Sequence, residues 1–371
     1  MIASVAGAGG GDLAADVRAR LEAWSPPSEV RRLMEAEPGH DPTVWRELAE
    51  AGLLGLHVPE ARGGAGRSWV ELAAVLEETG AALLCAPILS SVGIAASTVL
   101  ASGDAEASEA LLPAIARGER LVTVAVAEDG GRWEEASVAT AATREASSGG
   151  DPEWRLAGHK SHVVDATVAD TFLVAARGPD GVGIFVVDGV APGLRRTPLP
   201  TVDTTRRQAR LELHGTPARR LEGASFASLV DIACVALACE AVGGARRCLE
   251  AAVAHARQRI QFGRPIGSFQ AVAHRCAEML VDLECARGAA RKAAEALATG
   301  DPEIATLAPT AKVACTEAFA RGAAANIQIH GGTGFTWDCD AHLYFKRARS
   351  SQLLFGDPRH HREVLARRLG W

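Results

Sequence analysis

The sequence predicts an α+β chain: helices at both ends and a small β domain between them. Three observations carry this. From 13 to 117, apolar residues recur at three- and four-residue spacing. From about 120 to 217, short runs rich in Val or Thr are separated by Gly, Pro and Asp. From about 224 onward, long Ala-rich segments return to the helical period. With 371 residues, the chain exceeds the roughly 250–300 residues at which a single core stops growing. The pattern divides it into an N-terminal helical domain (1–118), a middle β-barrel domain (119–220) and a C-terminal bundle of long helices (221–371).

In the first block, 42–51 and 68–84 carry helical apolar stripes, and Gly63–Gly66 punctuates them. In the second, 122–126, 138–141, 172–176, 183–187 and 209–213 read as short strands. Turns are expected at 149–151 and 178–181. So many short strands in so little chain are expected to close or fold on themselves. In the third, 229–257, 270–298 and 302–329 each run to more than twice the average helix of ~11 residues, and 342–348 reads as one more helix. Long helices with Ala-rich faces point to a bundle.

Composition excludes several classes. Lys and Arg total 39 against 45 Asp and Glu, a net charge of -6 with no basic stripe, which argues against a nucleic-acid surface. No run approaches the roughly 18 apolar residues of a membrane span, and residues 1–11 lack the basic start of a secretory signal. A cytoplasmic protein without nucleic-acid or membrane partners is expected. The 8 cysteines are scattered with no Cys-x-x-Cys pair and read as reduced packing residues. The glycines at 7–11 follow no strand, so they read as a chain terminus and not as a dinucleotide loop. His360 and His361 have no third ligand at suitable spacing, so they read as surface residues and no metal is expected.

Two stretches carry chemistry. In Arg259-Ile-Gln-Phe-Gly-Arg-Pro-Ile-Gly-Ser-Phe-Gln270, a helix ends, Gly and Pro break the chain, and a helix begins again. Arg259 offers a planar fork to a phosphate, or it is a solvated helix end. Phe262 offers a face to an adenine or flavin ring. In Gln328-Ile-His-Gly-Gly-Thr-Gly-Phe-Thr-Trp337, glycines would let phosphates approach backbone N–H groups, or simply cap a helix. His330 within that turn could face an adenosine or pack.

Together and in this order, about seventy residues apart, these stretches resemble the acyl-CoA dehydrogenase family, and the helix–β–helix layout extends the resemblance over nearly the whole chain. Gly334-Phe-Thr-Trp337, followed by His342-Leu-Tyr-Phe-Lys-Arg347, is similar to the actinobacterial branch that acts on bulky acyl-CoA esters, including steroid side chains. The resemblance implies FAD-dependent oxidation of an acyl-CoA thioester to the trans-2-enoyl-CoA. A Glu carboxylate takes the α-proton, a hydride passes to the flavin, and an electron-transferring flavoprotein is the acceptor. It further implies that FAD lies between subunits. Arg259, Gln261, Phe262, Ile266, Phe269, Gln270, Gln328, Gly331 and Gly332 would grip the diphosphate and adenosine of a cofactor held mainly by a neighbour.

The half that would cradle the flavin ring departs from the family. A Trp-x-Thr strand is expected after a Lys, but here Lys160-Ser-His-Val-Val164 puts His162 and Val164 in those places. Ala127-Glu-Asp129 replaces Thr-Glu-Pro, and the loop after it lacks the usual Gly-Ser-Asp. The base is missing too. Phe355 stands at its commonest position and Ala233 at a second one, and neither accepts a proton. Nearby Asp231 reads as a helix N-terminal charge, Glu240 as packed or paired, and Asp357 as an N-cap before Pro358. The resemblance therefore implies a non-catalytic subunit in an α2β2 heterotetramer with a homologous chain that carries the Glu. The alternatives are a self-sufficient homo-oligomer with a displaced base at Asp231 or Glu240, and a non-enzymatic scaffold of the same fold.

Overall fold

The computed structural model describes residues 10–147 and 150–371. Most of the glycine run at 7–11, and Gly149 of the turn expected at 149–151, lie outside the described residues. The chain separates into two compact units. One comprises Leu33–Leu72 and Cys85–Ala233; the other comprises Gly10–Arg32, Ala73–Leu84 and Cys234–Trp371.

The N-terminal helices follow the apolar periodicity: α1 (Gly10–Trp24), α2 (Pro27–Glu35), α3 (Pro42–Glu50) and α4 (Trp69–Ala81). A buried π-helical segment, Ile88–Ala96, leads into α5 (Ser97–Ser102), and α6 (Ala105–Ala116) follows. Helix starts are set by side chains that satisfy otherwise orphaned N–H groups. Asp41 accepts from the Thr43 N–H at 2.7 Å with Pro42 as the next residue. Asp104 accepts from the Ala107 N–H at 2.9 Å, and its other oxygen takes Arg219 at 2.9 Å.

Seven strands form the β domain: β1 (Val122–Ala125), β2 (Ala141–Ser147), β3 (Gly150–Val164), β4 (Thr171–Gly178), β5 (Gly181–Asp188), β6 (Leu194–Pro198) and β7 (Gln208–Arg220). The pairing runs β4–β2–β3–β7–β5 and returns from β5 to β4, so the sheet closes on itself as expected. Phe172, Val174 and Ala176 of β4 point into the same core as Leu156, Leu211 and Leu213. There Trp154 and Phe185 meet edge-to-face at 5.2 Å. Two expectations need correction. Residues 138–140 are not strand, because the Glu128 carboxylate takes the N–H groups of Ala139 (3.0 Å) and Thr140 (2.8 Å) that a neighbouring strand would need. The exposed, polar β6 showed no strand pattern in the sequence.

The last block contains α7 (Phe226–Gln258), α8 (Gln270–Thr299), α9 (Ile304–His330), α10 (Ala341–Leu353) and α11 (Pro358–Arg368). The most apolar window of α7 is long enough to cross a membrane, but it is 83% buried within the protein. Glycine lets neighbouring helices approach α7 closely. A Cβ on Gly243 would lie 1.7 Å from the Glu77 carbonyl oxygen of α4, and one on Gly244 would lie 2.3 Å from the Phe319 ring of α9. Gly80 meets the Glu240 carbonyl in the same way. The fully buried Lys312 donates to the carbonyls of Ser351 (3.0 Å), Gln352 (3.2 Å) and Gly356 (3.0 Å), pinning the turn after α10. Among the described residues no disulfide links the cysteines, and burial pushes the Cys239 thiol up to about 12.

Gly243→Ala is expected to destabilise the fold by about 3 kcal/mol, the upper range for overpacking, because backbone must move. A lowered midpoint of denaturant unfolding checks this, and an unchanged midpoint contradicts it.

Candidate functional site

The predicted gripping residues cluster at one end of the helical unit. Beyond α7 the chain forms a two-residue hairpin from β8 (Ile260–Gln261) and β9 (Arg264–Pro265), where the sequence suggested only a break. Its central residues, Phe262 and Gly263, have φ of 52° and 75°. This primed turn matches the twist of paired strands, but positive φ is uncommon for a bulky side chain. The effect is to hold Phe262 out, 92% exposed. Phe269 lies 6.1 Å from it edge-to-face and carries the Arg264 guanidinium at 4.2 Å. Ile266 and Phe269 are half-buried, while Gln270 and Gln328 are exposed. Gln261 donates only to its neighbour's carbonyl, at 2.7 Å.

Arg259 is exposed, and among the described residues its guanidinium has no hydrogen-bond or ion-pair partner. Gly331 follows α9 with φ 63° and ψ -141°, a conformation that favours glycine. Nothing lies within 4 Å of a Cβ built on Gly331 or Gly332. The two stretches meet through a pair that sequence reading missed: His255 and His330 stack at 4.1 Å and 27°. Burial, His330 and Arg259 lower the pKa of His255. An unspent cation, an exposed aromatic face and an open glycine turn fit the diphosphate–adenosine half of FAD.

The half expected to cradle a flavin ring is internally satisfied. Lys160 is fully buried and donates to the Val126 carbonyl (3.0 Å) and Glu128 (2.9 Å). Burial tends to raise the Glu128 carboxyl, but Lys160 and the N–H and hydroxyl of Thr140 outweigh it and hold the pKa at about 2. Asp129 is engaged by Ser161 (2.9 Å), His159 (3.1 Å) and Arg210. His162, at φ 56°, is bonded through Nδ1 to the Gln208 side-chain oxygen at 3.1 Å. Val164 is buried with an apolar side chain, and its carbonyl accepts from the Thr123 hydroxyl at 2.7 Å. These residues do not fit a ring that needs a stacking Trp and a hydroxyl donor.

The base positions are apolar and buried. Phe355 is 3% exposed at φ 57°, and Ala233 is fully buried in α7. Glu240 is paired with Arg347 at 2.9 Å inside the bundle, as expected. Asp357 caps α11 by accepting from the His360 N–H at 2.8 Å, also as expected. Two readings are corrected. Asp231 is not a charge in the first turn, because α7 begins at Phe226 and Asp231 is buried within it. His361 is not a surface residue. It is 2% exposed, its Nε2–H donates to the Phe355 carbonyl at 2.8 Å, and burial, aided by Lys312, lowers its pKa to about 3.

The model of the acyl-CoA dehydrogenase N-terminal domain matches residues 12–119, and that of the C-terminal domain matches residues 226–370. With this fold and this end of the bundle, the chain belongs to the acyl-CoA dehydrogenase family, flavoprotein oxidoreductases whose cofactor is FAD. Acyl-CoA dehydrogenase IpdE2 of Mycolicibacterium smegmatis is 34% identical over 344 residues, 92% of this chain and 93% of that protein. The Tcur3481–Tcur3483 steroid ACAD, solved as a variant, is 32% identical with a TM-score of 0.90, covering 98% of this chain and 99% of that one. The ChsE4–ChsE5 complex from Mycobacterium tuberculosis is 30% identical with a TM-score of 0.88 and 97% coverage of both.

Glu128→Gln is expected to cost about 3 kcal/mol by leaving the Lys160 ammonium buried without its counter-charge. The depressed Glu128 pKa contributes stability above its ordinary value of 4.5, and this is lost as pH falls from there toward about 2. The variant should therefore lose less stability across that window. Denaturation midpoints against pH test this, and parallel curves for the two proteins contradict it.

Proposed function

We propose that this chain is a non-catalytic subunit of a heteromeric acyl-CoA dehydrogenase. It lends Arg259, Phe262, Gln328 and the Gly331–Gly332 turn to FAD whose ring rests in a homologous partner. That partner carries the Glu that takes the α-proton of the acyl-CoA. Bound FAD supplies the hydride acceptor, and an electron-transferring flavoprotein takes the electrons onward. The similarity to the Tcur3481–Tcur3483 steroid ACAD and to the ChsE4–ChsE5 complex supports a heteromeric assembly, which we take as α2β2, and a steroid side-chain CoA ester as the candidate substrate.

The observation that carries this reading is an asymmetry of polar partners. Among the described residues Arg259 is unspent, whereas Lys160 pairs with Glu128 and Asp129 with Ser161, and a buried Phe355 occupies the position where the resemblance expects the base. A self-sufficient enzyme would need a displaced base, but Glu240 is committed to Arg347.

The chain purified alone is expected to lack flavin absorbance and turnover. Co-expression with a homologue carrying the Glu should give a yellow complex that oxidises a steroid side-chain CoA thioester. In that complex Arg259→Ala should weaken FAD retention about tenfold to a hundredfold, the worth of a charged hydrogen bond. Turnover by the lone chain, lost on Glu240→Gln, overturns the proposal.

A further inference from the structure

The two gripping stretches are far apart in sequence, exposed, and open to their surroundings. Arg259 has no partner among the described residues, and no side chain packs where a Cβ on Gly331 or Gly332 would lie. Something else must fix one stretch against the other before a diphosphate can be gripped at both. Preorganised donors bind without having to be ordered first.

Arg259 and the Gly331–Gly332 turn each follow a member of the His255–His330 stack within four residues. The Arg259 N–H donates to the His255 carbonyl at 2.8 Å, so the arginine leaves α7 one turn after that ring. On the other side His330 is the last residue of α9, and the Thr333 hydroxyl donates to its carbonyl at 2.7 Å. Its ring is held in turn, because Nδ1 lies 2.9 Å from the Asn326 carbonyl, which only accepts, so Nδ1 carries the proton. Gly334 completes the fold-back: a Cβ there would sit 2.7 Å from the Ile327 carbonyl and 3.2 Å from the His330 Cβ. Both turns are thus referenced to one pair of stacked rings whose centroids lie 4.1 Å apart.

We infer that the His255–His330 stack is the positioning joint of the cofactor grip, setting the spacing between the Arg259 guanidinium and the Gly331–Gly332 backbone. The inference rests on the proposed trans role of those stretches. The joint works by ring-on-ring contact, so a flat ring is what position 255 requires. Either histidine is useless without the other.

The test uses the co-expressed heteromeric complex, stripped of FAD and titrated with it. His255→Ala and His330→Ala should each weaken FAD binding about five- to tenfold, the order of an aromatic pair. The double variant should be no weaker than either single variant, because the two changes remove one contact. His255→Phe, which keeps a ring, should restore binding to within about twofold of the parent. Additive losses, or failure of His255→Phe to rescue, overturn the joint, as do single variants that bind like the parent while Arg259→Ala still weakens binding. If Arg259→Ala also leaves binding unchanged, the trans reading falls, and the joint with it. Should His255→Ala fail to assemble, His330→Ala and His255→Phe still decide the outcome.

Discussion

The helical unit depends on a close approach that only glycine permits. At Gly243 the α7 backbone lies against the Glu77 carbonyl, and at Gly244 it lies against the Phe319 ring. Any side chain there would push α4 or α9 outward. This contact sets where the far ends of α7 and α9 emerge. Those ends lead into Arg259 and the Gly331 turn, so the position of the candidate site is tied to packing well inside the bundle. Helix-borne groups are placed more precisely than loop-borne ones.

A second constraint sorts the polar residues. Ionic groups withdrawn from water need partners, and those in water do not. In the β domain the cradle residues find partners within the chain: Lys160 with Glu128, and Asp129 with Ser161 and Arg210. At the end of the bundle Arg259 lies exposed and, among the described residues, unpaired, and three residues on Phe262 is held out by a left-handed turn. The first arrangement is complete as it stands. The second leaves donors open, and under the proposed function the diphosphate of the family cofactor would take them.

Much of this was legible in the sequence. The long helices announced themselves because their Ala-rich faces keep the helical period over many turns, and 270–298 and 302–329 differ from α8 and α9 only at their ends. The apolar strands at 172–176 and 183–187 were equally plain. Polar strands were not: β6 is built of Leu-Arg-Arg-Thr-Pro, and its pairing with β7 leaves no apolar trace. The candidate gripping residues were singled out by motif, but the stack between His255 and His330 was not, since nothing local links the two. His361 was misjudged because a polar pair after a proline looks like surface until the Phe355 carbonyl is seen to take its proton.

The triple donation from Lys312 has a consequence for position 355. An ammonium pins the main chain around 351–356 from behind, through carbonyls that belong to other residues than 355. These anchors are made of backbone, so none of the three bonds is lost when the side chain at position 355 is exchanged.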